Sequence, residues 1–201
     1  MPVTIRSTSI PIPELKPEVV DAIRNACEDA AVRKAIGGVA PDGSIELGLW
    51  PGARITVRDI NATDMSYTTN VFTETSHATI NQWNAMAFGA FTVADNTVLG
   101  LYGLKIMHLP DGTIDFPPIT GVRFDVGGAR VGQWHTQQSD SYTSGASTAP
   151  LHALALVTKS PMIIQESITV TLYEYTRTAN TVYVPVWLGV CIEKESVTLR
   201  P

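Results

Sequence analysis

The sequence predicts a mainly β protein: an antiparallel β-sandwich of jelly-roll type, preceded by an extended N-terminal arm and one α-helix. Three observations predict it. From Ile45 onward, short apolar runs recur with the period of two that marks half-buried strands. Turn signals punctuate those runs: Pro51-Gly52, Asp95-Asn96, Asp111-Gly112, Pro117-Pro118 and "TRTANT". Only the stretch from Pro17 to about Ile36 carries helical spacing.

Residues 1–16 form the arm. The prolines of "SIPIPELKP", at 11, 13 and 17, hold the chain in β or polyproline geometry. Such a segment has no core of its own, so it is expected to pack on a neighbour, with Ile10 and Ile12 as its apolar contacts. The helical segment spans 17–38. Pro17 suits the first turn, Gly37-Gly38 ends the helix, and Val19, Val20, Ile23, Ala26, Cys27, Ala30 and Ile36 are its expected apolar face.

Residues 39–201 form the sandwich. Its strand candidates are "ARITVRDI", "TTNVFTET", "NTVLGLYGLKIMHL", "LHALALVT", "PMIIQ", "ITVTLYEY" and "TVYVPVWLGVCIEKE", with a hairpin between the third and fourth. In "ITVTLYEY" the faces separate: Ile168, Val170 and Leu172 inward, Thr169, Thr171, Tyr173 and Tyr175 outward. The stretch "SHATINQWNAMAF" suits either a short helix, through Ile80, Trp83, Ala87 and Phe88, or a strand. In all, eight to ten strands are expected. The polar stretch 136–150 reads as a contact or mobile loop. No repeat of solenoid or propeller length is present.

The hairpin is "ITGVRFDVGGARVGQWH", turning at Gly127-Gly128, where glycine accommodates the positive φ of a primed turn. A two-residue turn sets Val126 opposite Ala129, Asp125 opposite Arg130, Phe124 opposite Val131 and Gly121 opposite Trp134. One face then carries Val122, Phe124, Val126, Ala129 and Val131. The other carries Arg123, Asp125, Arg130 and Trp134, and its tryptophan and arginines are the residue types most enriched in interface hot spots. Arg123, Arg130, Trp134, Tyr173 and Tyr175 are therefore interface candidates.

Composition narrows the function classes. Charged residues make up 16% of the chain, against roughly 25% in typical soluble domains. A threonine-rich, charge-poor surface suits a protein covered by other subunits. The net charge of −5 and the lack of a basic run argue against nucleic-acid binding. No apolar run approaches the roughly 18 residues that cross a bilayer, and the first residues lack the apolar core of a signal peptide.

No chemistry is spelled out. His77, His108, His135 and His152 form no metal-binding pair, and the HxH of a metal-binding cupin is missing. Asp59, Asn61 and Asp64 in "RDINATD" read as an Asx-rich turn rather than a calcium loop, since the glycine and closing glutamate of an EF-hand are absent. Cys27 and Cys191 read as buried thiols, with a disulfide between them as the alternative that the sequence does not require. There is no GxSxG and no phosphate loop. No enzyme activity and no cofactor are expected. Of the four tryptophans, Trp187 is the expected core residue.

The proline-punctuated arm "SIPIPELKPEVVDAI", the hairpin "ITGVRFDVGGARVGQW" and the closing "WLGVCIEKESVTLRP" resemble bacteriophage virion proteins of jelly-roll type, such as capsid, cement and head-associated proteins. The resemblance is one of texture. It implies a structural protein of the virion, a homo-oligomer with trimers favoured, contacting other virion proteins. The alternative of a different class is a glycan-binding β-sandwich, in which exposed aromatic rings stack on sugars.

Overall fold

The structure is a computed structural model that describes residues 8–9, 17–69, 71–107, 118–135 and 154–196. Ile10, Ile12, the 136–150 loop, His108 and His152 lie outside the described residues. The architecture is the mainly β one expected, with one N-terminal helix. Helix α1 is Pro17–Ile36, and the strands are β1 (Thr8–Ser9), β2 (Gly38–Val39), β3 (Ile45–Glu46), β4 (Ile55–Asp59), β5 (Glu74–Thr75), β6 (Gln82–Thr92), β7 (Thr97–Met107), β8 (Ile119–Val126), β9 (Ala129–His135), β10 (Leu154–Ile164), β11 (Thr169–Thr176) and β12 (Val182–Lys194). "SHATINQWNAMAF" thus contributes to a strand, and "LHALALVT" and "PMIIQ" join into β10 across an irregularity between Val157 and Met162.

The strands build two facing antiparallel sheets. One runs β1-β10-β7-β12-β4, with β5 also on β12; the other runs β6-β11-β8-β9. The pairs β8–β9, β7–β10, β6–β11 and β4–β12 are nested, each enclosing the previous one along the chain. β2 and β3 form a separate ribbon. Pro185 is tolerated in β12 because it lies between the segments that pair with β5 and β4, where no ladder is interrupted on that side. Of the arm, β1 adds to the edge of this chain's own β10.

Two apolar layers result. Between the sheets lie Phe91, Leu101, Leu104, Phe124, Trp134, Leu172 and Trp187, among others. On the far side of the larger sheet, α1 packs over Val98, Tyr102, Val190 and Ile192. The face α1 buries overlaps the expected one, with Cys27 buried and Ile23 and Ile36 packed beside it, but is shifted toward Ala31 and Ala35. Cys27, Ala31 and Ala35 are fully buried, whereas Ala26 is exposed and Val19 is 40% exposed. The reason is close approach: a Cβ built on Gly100 of β7 would lie 2.7 Å from the Cys27 sulfur and 3.4 Å from the Ala31 Cβ. Only small side chains one turn apart fit there. Both cysteines are free and buried, as read from the sequence.

The hairpin turns where expected, with positive φ at Gly127 and Gly128, and Asp125 does oppose Arg130. Beyond that pair the expected register fails. Phe124 opposes Gly132, so Val131 is bulged out, and Trp134 opposes Val122 instead of Gly121. One extra residue in a strand moves every later side chain to the other face. Val131 is 47% exposed and Trp134 only 2%, its ring packed edge-on at 4.7 Å from that of Phe124. Exchanging valine for tryptophan inside the sandwich buries the larger apolar surface. Trp134 is therefore a core residue, and its assignment as an interface candidate is withdrawn.

Two outcomes follow. Trp134→Ala is expected to lower unfolding stability in urea by about 3–5 kcal/mol through loss of core packing. Gly100→Ala should cost about 1–3 kcal/mol by lifting α1 from β7, seen as an earlier urea midpoint.

Candidate functional site

The two sheets differ in what covers them. α1 lies on the outer face of the larger sheet, while the outer face of β6-β11-β8-β9 carries its own cluster of large side chains. Alternation along β11 produces it. Val170, Leu172, Glu174 and Thr176 point inward and are buried, leaving Thr171, Tyr173 and Tyr175 half-buried on the outside, as the sequence indicates.

Register then assembles the cluster. Tyr173 lies between Ala85 of β6 and Arg123 of β8, and Arg123 opposes Gln133 of β9; Tyr175 opposes Trp83 of β6. The Arg123 guanidinium sits 3.9 Å from the centre of the Tyr173 ring and 5.7 Å from that of Trp83. Trp83 and Tyr175 meet edge-on at 5.5 Å, and the Tyr175 hydroxyl donates to the Asn81 carbonyl at 3.0 Å. Arg123 also pairs with Asp125 on its own strand at 3.2 Å. Stacking and ion pairing immobilise the arginine and both tyrosines before any partner arrives, which lowers the entropic cost of contact.

Among the sequence-predicted residues, Arg123, Tyr173 and Tyr175 are thus brought together. Arg130 is exposed near the turn, opposite Asp125. Trp134 is absent from this face, and Trp83 occupies it instead. Sequence reasoning missed Trp83 because "QWNAMAF" fits two periods, and only its pairing with β11 shows which side of a strand the indole takes. The other tryptophans, Trp50 and Trp187, are buried.

A second exposed apolar group lies on the β2–β3 ribbon and the residue after it, where Val39, Ile45 and Leu47 are 66%, 82% and 89% exposed.

The "RDINATD" turn is structural. Asn61 caps a 3-10 turn over Ala62–Met65, accepting from the Asp64 N–H while the Asp64 carboxylate accepts from the Asn61 N–H. Possible ligand atoms of Asp64, Cys191 and Glu193 converge within 4.8 Å. Arg58 already bridges them, at 2.7 Å from Asp64 and 2.6 Å from Glu193. Its guanidinium supplies the positive charge that a metal would. Burial pushes the Cys191 thiol up to about 12.

Two buried carboxyls were not foreseen. Glu174 accepts from the His77 N–H at 2.6 Å and from the hydroxyls of Thr176 and Tyr183. Glu74, which pairs with Tyr183 across β5 and β12, accepts from the Ala87 N–H at 3.2 Å. Both are almost wholly shielded from water, and their hydrogen bonds tie the crossing between β5 and β6 to the sandwich. Burial pushes Glu74 up to about 7, with the nearby Glu174 adding to the shift against the opposing hydrogen bonds from Tyr67 and Ala87.

No known protein family matches the chain, and no curated protein is similar to it in sequence.

A carboxyl whose folded pKa is raised stabilises the fold below its unfolded value, and that contribution is lost as pH rises through the folded value. For Glu74 the window runs from about 4.5 to about 7. Stability measured by urea unfolding should fall across it, and Glu74→Gln, which stays neutral, should flatten that slope.

Proposed function

We propose that the chain is a structural protein acting by contact: a self-associating component of a virus particle that meets neighbouring virion proteins and carries out no catalysis. The observation that carries this reading is the outer face of the four-stranded sheet, where Trp83, Tyr173, Tyr175 and Arg123 lie held in place and half-buried. Tryptophan, tyrosine and arginine dominate the binding energy of protein interfaces. The low charge content supports the same reading, since interface cores are depleted in charged residues.

The nested pairing of β4–β12, β6–β11, β7–β10 and β8–β9 adds support, because it is the order in which a chain wraps into a jelly roll, an architecture of viral capsid and lectin domains. A place in a virion and a threefold assembly follow from the resemblance in sequence texture. A fold by itself hosts many functions, so the contact face bears the weight.

Glycan binding is the second reading. The observation favouring it is the row of ring-bearing side chains beside Asp125 on that face. Against it, the Arg123 guanidinium already occupies one face of the Tyr173 ring.

Sedimentation at micromolar concentration tests the proposal. An assembly well above the 21.7 kDa monomer is expected. The double change Trp83→Ala and Tyr173→Ala should shift it toward monomer while circular dichroism stays unchanged, with hot-spot truncations costing at least about 2 kcal/mol of association each. A native monomer of 21.7 kDa overturns self-association. A monomer that also binds on a glycan array, and loses binding in the double variant, establishes the second reading instead.

A further inference from the structure

We propose that the β2–β3 ribbon of one copy docks head to tail on the outer face of a second copy's four-stranded sheet. The docking rests on the reading of that face as a self-association surface. The ribbon and the residue after it present Val39, Ile45 and Leu47, the three most exposed large apolar side chains among the described residues. Val39 pairs with Ile45 across the ribbon, and Leu47, two residues beyond Ile45, takes the same side by alternation. The opposite side is committed to the chain itself. The Glu46 carboxylate pairs with Arg33 of α1 at 3.4 Å, and a Cβ built on Gly38 would lie 3.2 Å from the Arg33 Cγ. Just beyond, the Leu49 and Trp50 N–H groups donate to the Lys34 and Ala35 carbonyls of α1. The ribbon is thus fixed to α1 with its apolar side outward, which lowers the entropic cost of contact.

Position selects a second copy as the occupant. The ribbon extends from α1, which covers the larger sheet, whereas Trp83, Tyr173, Tyr175 and Arg123 lie on the outer face of the other sheet. Both sheets therefore separate the two surfaces within one copy. Pairing ribbon with ribbon, or face with face, leaves the other surface in water. Head-to-tail contact covers both, and in a closed ring it does so for every copy. Three aliphatic side chains alone fall short of the roughly 800 Å² per partner that a standard interface buries, so counting both surfaces matters. Rings of three are built from unlike surfaces that meet in this way.

The chemistry of the two surfaces is complementary. Aliphatic side chains laid on the rings remove apolar area from water on both partners. The charges match as well. Asp42 is exposed in the turn of the ribbon, its Oδ1 fixed by the N–H and the hydroxyl of Ser44. Arg130 is exposed beside the β8–β9 turn. It stands opposite Asp125, two residues or about 7 Å along β8 from Arg123. Asp42 precedes Ile45 by three residues, a similar span, so seating the aliphatic side chains on the rings brings its carboxylate to the Arg130 guanidinium.

Sedimentation of full-chain variants at high micromolar concentration tests this. A ribbon variant, Ile45→Ser with Leu47→Ser, and a face variant, Trp83→Ala with Tyr173→Ala, are each expected to run as monomers with native circular dichroism. Mixed one to one, the intact face of the first receives the intact ribbon of the second, and a species of twice 21.7 kDa should appear. A mixture that stays monomeric overturns the proposal. A ribbon variant that assembles like the wild type also overturns it, and if the face variant is then still monomeric, self-association through the face stands without the ribbon. A monomeric wild type overturns both. If the double ribbon change disturbs circular dichroism, Leu47→Lys alone, at a side chain almost wholly in water, takes its place and is read in the same way.

Discussion

Phe124 meets Trp134 and Trp187 edge to face between the two sheets, and the two indoles lie tilted against each other, with ring centres 4.7–6.3 Å apart. This contact decides which side of β8 and β9 faces water. To bring Trp134 to it, β9 bulges at Val131, gives up one ladder position and turns a valine outward. The fused ring offers far more apolar surface than the isopropyl group it replaces inside, and the bulge at an edge strand also blunts the edge against unwanted pairing. With β8 and β9 so placed, Arg123 points outward beneath Tyr173, and the outer face takes its form.

The larger sheet solves a different problem. Its outer face is apolar through Val98, Tyr102, Val190 and Ile192, and α1 covers it at a distance set by Gly100. A helix with larger residues at 27, 31 and 35 would stand off and leave voids, which a packed interior tolerates poorly. The four-stranded sheet has no such cover among the described residues and carries rings and a paired arginine instead. The asymmetry between a sealed face and a furnished one is the physical basis for placing contact on the second.

The interior also contains polar groups where an apolar core would have been simpler. Glu174 holds the backbone of the β5–β6 crossing at His77, and Glu74 holds β6 at Ala87, within the stretch where its register with β11 shifts. Such buried carboxyls are inexpensive only when their oxygens are satisfied. Glu174 meets that condition directly. At Glu74 burial outweighs the hydrogen bonds from Tyr67 and Ala87, so its proton affinity rises.

The sequence by itself determined what depends on neighbours along the chain. Proline and glycine bounded α1 at Pro17 and Ile36, the Gly127-Gly128 pair set the turn, and strict alternation placed Tyr173 and Tyr175 outside β11. Each is a local rule of period or φ. Tertiary structure alone decided the rest: that the buried side of α1 turns toward Ala31 and Ala35, that "QWNAMAF" is a strand with Trp83 outward, and that Trp134 is core. Those outcomes turn on how much room a facing layer leaves and how much apolar area can be buried there. A period of two cannot reveal a bulge, because the bulge exists to serve a partner that arrives from β12, more than 50 residues later in the chain. For the same reason Glu174, which alternation places inward beside Leu172, reads as a misfit until Tyr183 and His77 close around it.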